Sequence, residues 1–131
     1  SALLIKRGKP PGEGQWSIPG GAVKVGETTP EGLAREMTEE IGMTVTVGPL
    51  VELLERIFLD DEGRPVYHYV LLDYLCFPKD GVLHPGSDAA DAKFVPPEEW
   101  EDYDLPAITL QVMKKALRML PEASHSDQVA T

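Results

Sequence analysis

The sequence predicts a single α/β domain, and three observations carry that prediction. Strand-type runs, rich in aromatic and β-branched residues, outnumber helix-type runs: they fall at 2–7, 15–18, 44–47, 50–58, 66–77 and 94–95, with a short edge strand at 82–84. Two amphipathic stretches of helical period, 28–41 and 105–120, lie far apart in the chain. No repeat and no linker divides the 131 residues, a length that suits one hydrophobic core. The domain is expected to occupy 1–121. Residues 122–131, EASHSDQVAT, are poor in apolar side chains and read as a flexible tail.

Composition narrows the function classes. Hydrophobic residues make up 42% of the chain, and no apolar run approaches the roughly 20 residues that span a bilayer. Residues 1–7 hold too short an apolar stretch for a signal peptide. The one cysteine, Cys76, has no partner for an internal disulfide, so a reducing cytoplasm fits; it reads as a small core residue. The net charge of -10 argues against a duplex nucleic-acid binder, which needs a basic face. It leaves room for a nucleotide substrate, because a bound cation supplies local positive charge.

Residues 2–7, ALLIKR, form a strand that leads into a loop dense in Gly and Pro, 8–14. Arg7 and Lys9 beside that loop are candidates for contact with a phosphate. Trp16 and Ile18 share one strand face; Pro19 ends the strand, and Gly20 and Gly21 permit a tight turn. A helix then starts at 28–30. Thr28 with Glu31 reads as a capping box, and Thr29 ahead of Pro30 as an alternative N-cap. Leu33, Ala34, Met37 and Ile41 make the stripe that packs on the sheet, and Gly42 stops the helix.

Glu36, Glu39 and Glu40 fall within one turn at the rim of that stripe. Positions three and four apart on a helix are neighbours, so Glu36 faces both others, and like charges so placed repel by about 0.2–0.5 kcal/mol per pair. A hard divalent cation, which takes oxygen ligands, turns that cost into a gain. The bland alternative is a solvated acidic helix face.

Farther on, 48–49 reads as a turn, 60–65 as a hairpin loop, 78–81 as a turn, 85–93 as a loop and 98–100 as a helical turn. His68 reads as a structural hydrogen-bonder in its strand. The last helix is expected to turn Ile108, Val112, Ala116 and Leu117 or Met119 inward, with Pro121 as its stop.

The series Gly21, Glu27, Arg35, Glu36, Met37, Glu39, Glu40, Gly42, Met43 resembles the Nudix box, G-x5-E-x7-R-E-U-x-E-E-x-G-U with U apolar, and fills every fixed position. The W-x-x-P-G-G run from Trp16 leads into it as in that family. The resemblance implies an α/β/α sandwich, with a curved mixed sheet between the box helix and the C-terminal helix and a further strand ahead of Ala2. It implies Mg²⁺ or Mn²⁺ held by Glu36, Glu39, Glu40 and the Gly20 carbonyl, with Glu39 a ligand or base. It implies that Arg35 pairs with Glu27 to brace the loop. It also implies a carboxylate, as ligand or base, in the loop ahead of Phe94; Asp88 and Asp91 are the candidates and Asp91 is preferred.

The activity so implied is hydrolysis of the pyrophosphate bond in a nucleoside diphosphate linked to another moiety, in the manner of small MutT-like or ADP-ribose pyrophosphatase-like proteins. The substrate is ADP-ribose, a nucleotide sugar or a (d)NTP. Subfamily markers, a Pro or Tyr some way past the box, are not present at 58–61. Arg7, Trp16, Tyr67 and Tyr69 are the candidate substrate contacts, Trp16 being alternatively a buried strand residue. The other readings are a nucleotide-binding regulator with little turnover and a structural acidic domain; a metal requirement separates the hydrolase from both. The expected partner is a nucleotide-derived small molecule, not a duplex nucleic acid or a membrane, with homodimerisation left open.

Overall fold

A computed structural model describes residues 1–9 and 12–120, with the backbone of Val129–Ala130. The chain runs β1 (Ala2–Arg7), β2 (Trp16–Ser17), α1 (Thr29–Ile41), β3 (Met43–Leu59), β4 (Pro65–Gly81), β5 (Ala89–Val95), a 3₁₀ helix (Pro97–Tyr103), α2 (Ala107–Arg118) and β6 (Val129–Ala130).

The period of two along β1 builds both faces of the core. Leu3 and Ile5 pack with Leu33, Met37 and Ile41 of α1. Ala2 and Leu4 point the other way and pack with Trp100, Leu105 and Met113. Val51 of β3 and Leu75 of β4 meet Val112 and Ala116 of α2. The result is an α/β/α sandwich with α1 on one face and α2 on the other. Met37 is fully buried between β1 and β3. Met37→Ala is expected to cost about 2–5 kcal/mol of stability, read by urea unfolding; a cost below about 1 kcal/mol would show that this contact does not anchor α1.

The strands differ from the expected mixed sheet in one respect. They form two antiparallel sheets, in the orders β2-β1-β5 and β3-β4-β6. Short connections join β1 to β2 and β3 to β4, and such hairpins impose antiparallel neighbours, whereas a parallel pair needs a long crossover.

Gly48 and Pro49, read from sequence as a turn, lie inside β3 at a register shift between Val47 and Leu50. The partners Cys76 and Tyr74 carry the ladder across this bulge. Pro78 likewise sits within β4, opposite Val45 at a second irregularity, and the strand runs on to Gly81. No edge strand forms at 82–84. That segment instead caps the end of α1: the His84 N–H donates to the Ile41 carbonyl at 2.8 Å and the Gly86 N–H to the Glu40 carbonyl at 2.6 Å. The last carbonyls of a helix are open acceptors, which is why the loop settles there. β5 begins at Ala89 rather than at Phe94, because β1 offers partners along its whole length, from Arg7 opposite Ala89 to Ala2 opposite Val95.

Both halves of the capping box form. Thr28 Oγ1 accepts the Glu31 N–H at 3.2 Å, and Glu31 Oε1 accepts the Thr28 N–H at 3.0 Å, so Thr28 is the N-cap. Gly42 closes α1 at φ 70°, a left-handed conformation that glycine adopts without cost. α2 turns Val112, Met113 and Ala116 inward, and buried Leu120 continues their stripe. Of the pair Leu117 and Met119, Leu117 packs against the core and Met119 is exposed; Ile108 lies to the side of the stripe and is exposed, contrary to expectation. Burial pushes the Cys76 thiol up to about 12, as suits an inert core residue. The tail expected over 122–131 lies outside the described residues except for Val129–Ala130, whose backbone pairs with Leu75 and Cys76 of β4. Among the described residues no helix is long and apolar enough to cross a membrane.

Candidate metal centre and active site

The box carboxylates gather in a pocket of about 500 Å³ between the end of β1, the turn at Gly20 and Gly21, α1 and the loop before β5. Its walls differ in charge. Glu36, Glu39 and Glu40 form one side; Arg7 and Lys9 form another, with Ser87 and Asp88 at the rim. Gly21 lies against the Glu36 carboxyl so closely that a Cβ there would overlap it. The loop before β5 reaches the site because Gly86 packs flat on the α1 terminus, where a Cβ would come within 2.6 Å of the Glu39 carbonyl oxygen.

Arg35 organises the acidic side. Its Nε donates to Glu27 Oε2 at 2.7 Å and its Nη2 to Glu27 Oε1 at 3.1 Å, a two-pronged pair. Nη2 also reaches the Ala22 carbonyl at 2.9 Å. Nη1 donates to Glu36 Oε1 and to Glu39 Oε2, each at 3.0 Å. The guanidinium thus ties the loop of residues 22–27 to α1, and the Glu27 partner raises Arg35 further above its ordinary range. Arg35, first among the causes, holds Glu27 below the usual carboxylate range.

Glu40 is the exception within the cluster. Its Oε2 is buried and accepts no hydrogen bond. Burial, and then the Glu36 charge, push the Glu40 carboxyl up to about 7, against a backbone N–H from Gly20 that favours the anion. A buried carboxylate oxygen with no donor needs a cation or a proton. Among the described residues, no three His, Cys, Asp or Glu side chains converge on one point as placed. The Arg35 contacts account for this, since they draw the Glu36 and Glu39 carboxylates to the guanidinium. The donor set nevertheless fits a hard divalent cation: three carboxylates and the turn at Gly20 share one pocket, all ligands are oxygen, and one of them is orphaned.

Other sequence-derived candidates fall elsewhere. Asp91 lies within β5 opposite Lys6, exposed, and its Oδ1 accepts the adjacent Ala92 N–H at 2.8 Å. Asp88, not Asp91, lines the pocket, and it pairs with Lys9 at 3.0 Å. The early start of β5 causes the exchange. Trp16 touches neither cavity: it meets Tyr103 edge to face at 5.2 Å, under Lys93 at 5.1 Å, on the α2 side of the sheet. Tyr67 is exposed at the outer end of β4 and stacks on Tyr69 at 5.9 Å. Tyr69 and Arg7 do line a second cavity of about 630 Å³, which shares Arg7, Gly20 and Gly21 with the first. His68 bonds Glu55 at 3.1 Å across the hairpin.

Sequence reasoning missed two features. Asp73, also on the second cavity, is the one buried charged residue among those described, and its signal was a lone carboxylate in the apolar run VLLDYLCF. Arg56 lines the same cavity from β3.

Comparison with known proteins agrees with this geometry. The model of the NUDIX domain matches residues 1–117. An ADP-ribose pyrophosphatase of Methanocaldococcus jannaschii is 35% identical over 92 residues, covering 70% of this chain and 52% of the relative. This chain therefore spans about half the length of that relative. The nucleoside triphosphatase NudI of Escherichia coli is 31% identical over 109 residues, covering 77% of this chain and 75% of NudI. Among solved structures, a MutT NUDIX hydrolase from Burkholderia pseudomallei superposes with a TM-score of 0.68 at 25% identity, covering 86% of this chain and 85% of that one. A complete box on the helix that it requires, and a family match over nearly the whole described chain, place this protein in the Nudix hydrolase family.

Proposed function

We propose that this chain hydrolyses the pyrophosphate bond of a nucleoside diphosphate linked to another moiety, with Mg²⁺ or Mn²⁺ as cofactor. One observation carries the reading: the orphaned Glu40 oxygen, shared in one pocket with Glu36, Glu39 and the Gly20 turn and faced by Arg7 and Lys9. The relatives are named for two substrate classes, ADP-ribose and nucleoside triphosphates. Both contain the same diphosphate, so ADP-ribose, nucleotide sugars and (d)NTPs are the substrates to test.

Glu36, Glu39 and Glu40, with the Gly20 carbonyl, would hold the cation, which neutralises phosphate charge and lowers the pKa of bound water. Arg7 and Lys9 supply fixed positive charge for the phosphates and orient the scissile bond. Glu39, whose side chain is more exposed than that of Glu36, and Asp88 are the candidates to take a proton from the attacking water. Arg35 and Glu27 position the carboxylates rather than touch the substrate.

Product release from the three substrate classes, with metal and with chelator, tests the proposal. Turnover of one class that ceases on chelation is expected. Turnover that survives chelation would overturn the metal assignment. Metal and nucleotide binding without any turnover would favour a regulator.

A further inference from the structure

Asp73 stands in the interior, 6% exposed, between Leu72 and Tyr74 of β4. Among the described residues none donates a hydrogen bond to its carboxylate. Lys115 on α2 does not answer it either: it pairs with Glu52 at 3.0 Å, and Glu52 sits opposite Asp73 in the ladder. Burial, then the Glu52 charge, push Asp73 up to about 6, so at pH 7.5 the group is mainly an anion. An interior anion with no donor is a costly arrangement for packing alone. The side chain opens instead onto the cavity of about 630 Å³ that adjoins the catalytic pocket.

The walls of that cavity indicate what enters it. Leu54, Leu71, Ile108 and the ring of Tyr69 present apolar surface, while Arg7, Gly20 and Gly21 connect it to the phosphate end. Such a shape suits a flat heterocycle attached through a sugar to the phosphates, its faces on apolar walls and one edge on Asp73. An ionised carboxylate accepts only, through two oxygens. It is therefore matched by an edge with two neighbouring N–H donors. Guanine presents this at N1 and the exocyclic N2. Adenine places the N1 acceptor beside its amino group, and that lone pair would face the anion.

We infer that Asp73 is the specificity-determining residue of a nucleobase subsite, and that the subsite selects a base with two adjacent N–H donors, as on the Watson–Crick edge of guanine. This rests on the nucleotide reading of the neighbouring pocket. A site built around a hydrogen-bonding group rejects ligands that leave the group unpaired, by up to about 10⁴–10⁵-fold where burial is complete. Asp73 retains a small exposure, so a preference of about 10²-fold for guanine over adenine is expected.

The experiment compares wild type with Asp73→Asn in two readouts. One is kcat/KM on GTP, ATP, CTP and UTP and on GDP- and ADP-linked sugars. The other is calorimetric binding of GMP and AMP in chelator, which requires no catalysis. Asparagine is nearly isosteric and offers one acceptor and one donor, the complement of adenine. Asp73→Asn is expected to shift the guanine-to-adenine ratio by about 10²-fold or more, through KM and binding rather than kcat. A folded variant with an unchanged ratio would overturn the inference. So would an equal loss on all bases, which would assign Asp73 to the sugar hydroxyls. Should Asp73→Asn fail to fold, the wild-type GMP-to-AMP ratio decides alone, and equal binding refutes the inference. Selective GMP binding with no turnover of any substrate would refute the hydrolase reading and leave the subsite standing.

Discussion

Glu40→Gln is expected to lower turnover by about 10³-fold or more, equivalent to about 4 kcal/mol of transition-state stabilisation, while the protein stays folded. The substitution keeps the shape and one oxygen but removes the charge that a cation would meet. Wild-type turnover in a folded variant would remove Glu40 from the catalytic site. The same change has a distinct signature in stability. The Glu40 carboxyl stands at about 7 in the fold against an ordinary value of 4.5, raised by burial and then by Glu36. The folded chain therefore binds more protons at this position than the unfolded chain. Its contribution to stability is greatest below 4.5 and is lost as pH rises through about 7. Glutamine does not ionise. In chelator, Glu40→Gln should melt with wild type near pH 4.5 and above it at pH 8. A larger difference at the acid end would contradict the assigned cause.

Arg35→Lys is the second large effect, and it separates charge from shape. Lysine keeps the positive charge but offers a single point in place of a fork. It cannot serve Glu27 at two oxygens, the Ala22 carbonyl, Glu36 and Glu39 together, as Arg35 does. The expected loss in kcat/KM is about 10–100-fold, with a higher metal concentration for half-maximal rate, as for groups that orient ligands from behind. Stability should fall as well, because hydrogen bonds to charged groups are lost. A variant with unchanged metal dependence would reduce Arg35 to a structural tie.

The parts of the site legible in sequence are those set by spacing along one helix. The Arg35–Glu27 pair is implied by the family resemblance, whereas Glu36, Glu39 and Glu40 share a turn and Thr28 and Glu31 form a capping box. These are local facts, and local spacing reports them. What failed depended on partners distant in the chain. Asp91 gave way to Asp88 because β1 extends β5 back to Ala89. Gly48 and Pro49 read as a turn because composition cannot reveal that Cys76 and Tyr74 wait opposite to carry the ladder through. Trp16 looked available to a base until Tyr103 and Lys93, from the far end of the chain, covered it. Asp73 is the opposite case: its signal was plain, but only a cavity gives a lone strand carboxylate a meaning.

The register that pairs Ala2 with Val95 governs how the molecule assembles. α1 and the β3–β4 hairpin join residues close in sequence and need little loop closure. The β1–β5 ladder must bring together segments from opposite ends of the described domain, and such closures come late because their entropy is lost before any contact repays it. Both flanks of the carboxylate pocket, Arg7 at the end of one strand with Lys9 just beyond it and Ser87 and Asp88 before the other, hang on that ladder. A half-assembled chain therefore has its acidic helix but no closed pocket beside it. It meanwhile displays the hairpin side chains Ile57, Phe58, Val66 and Tyr67, which are exposed even in the finished fold. Overproduction would thus expose the chain to hairpin-to-hairpin aggregation during the interval before β5 closes on β1.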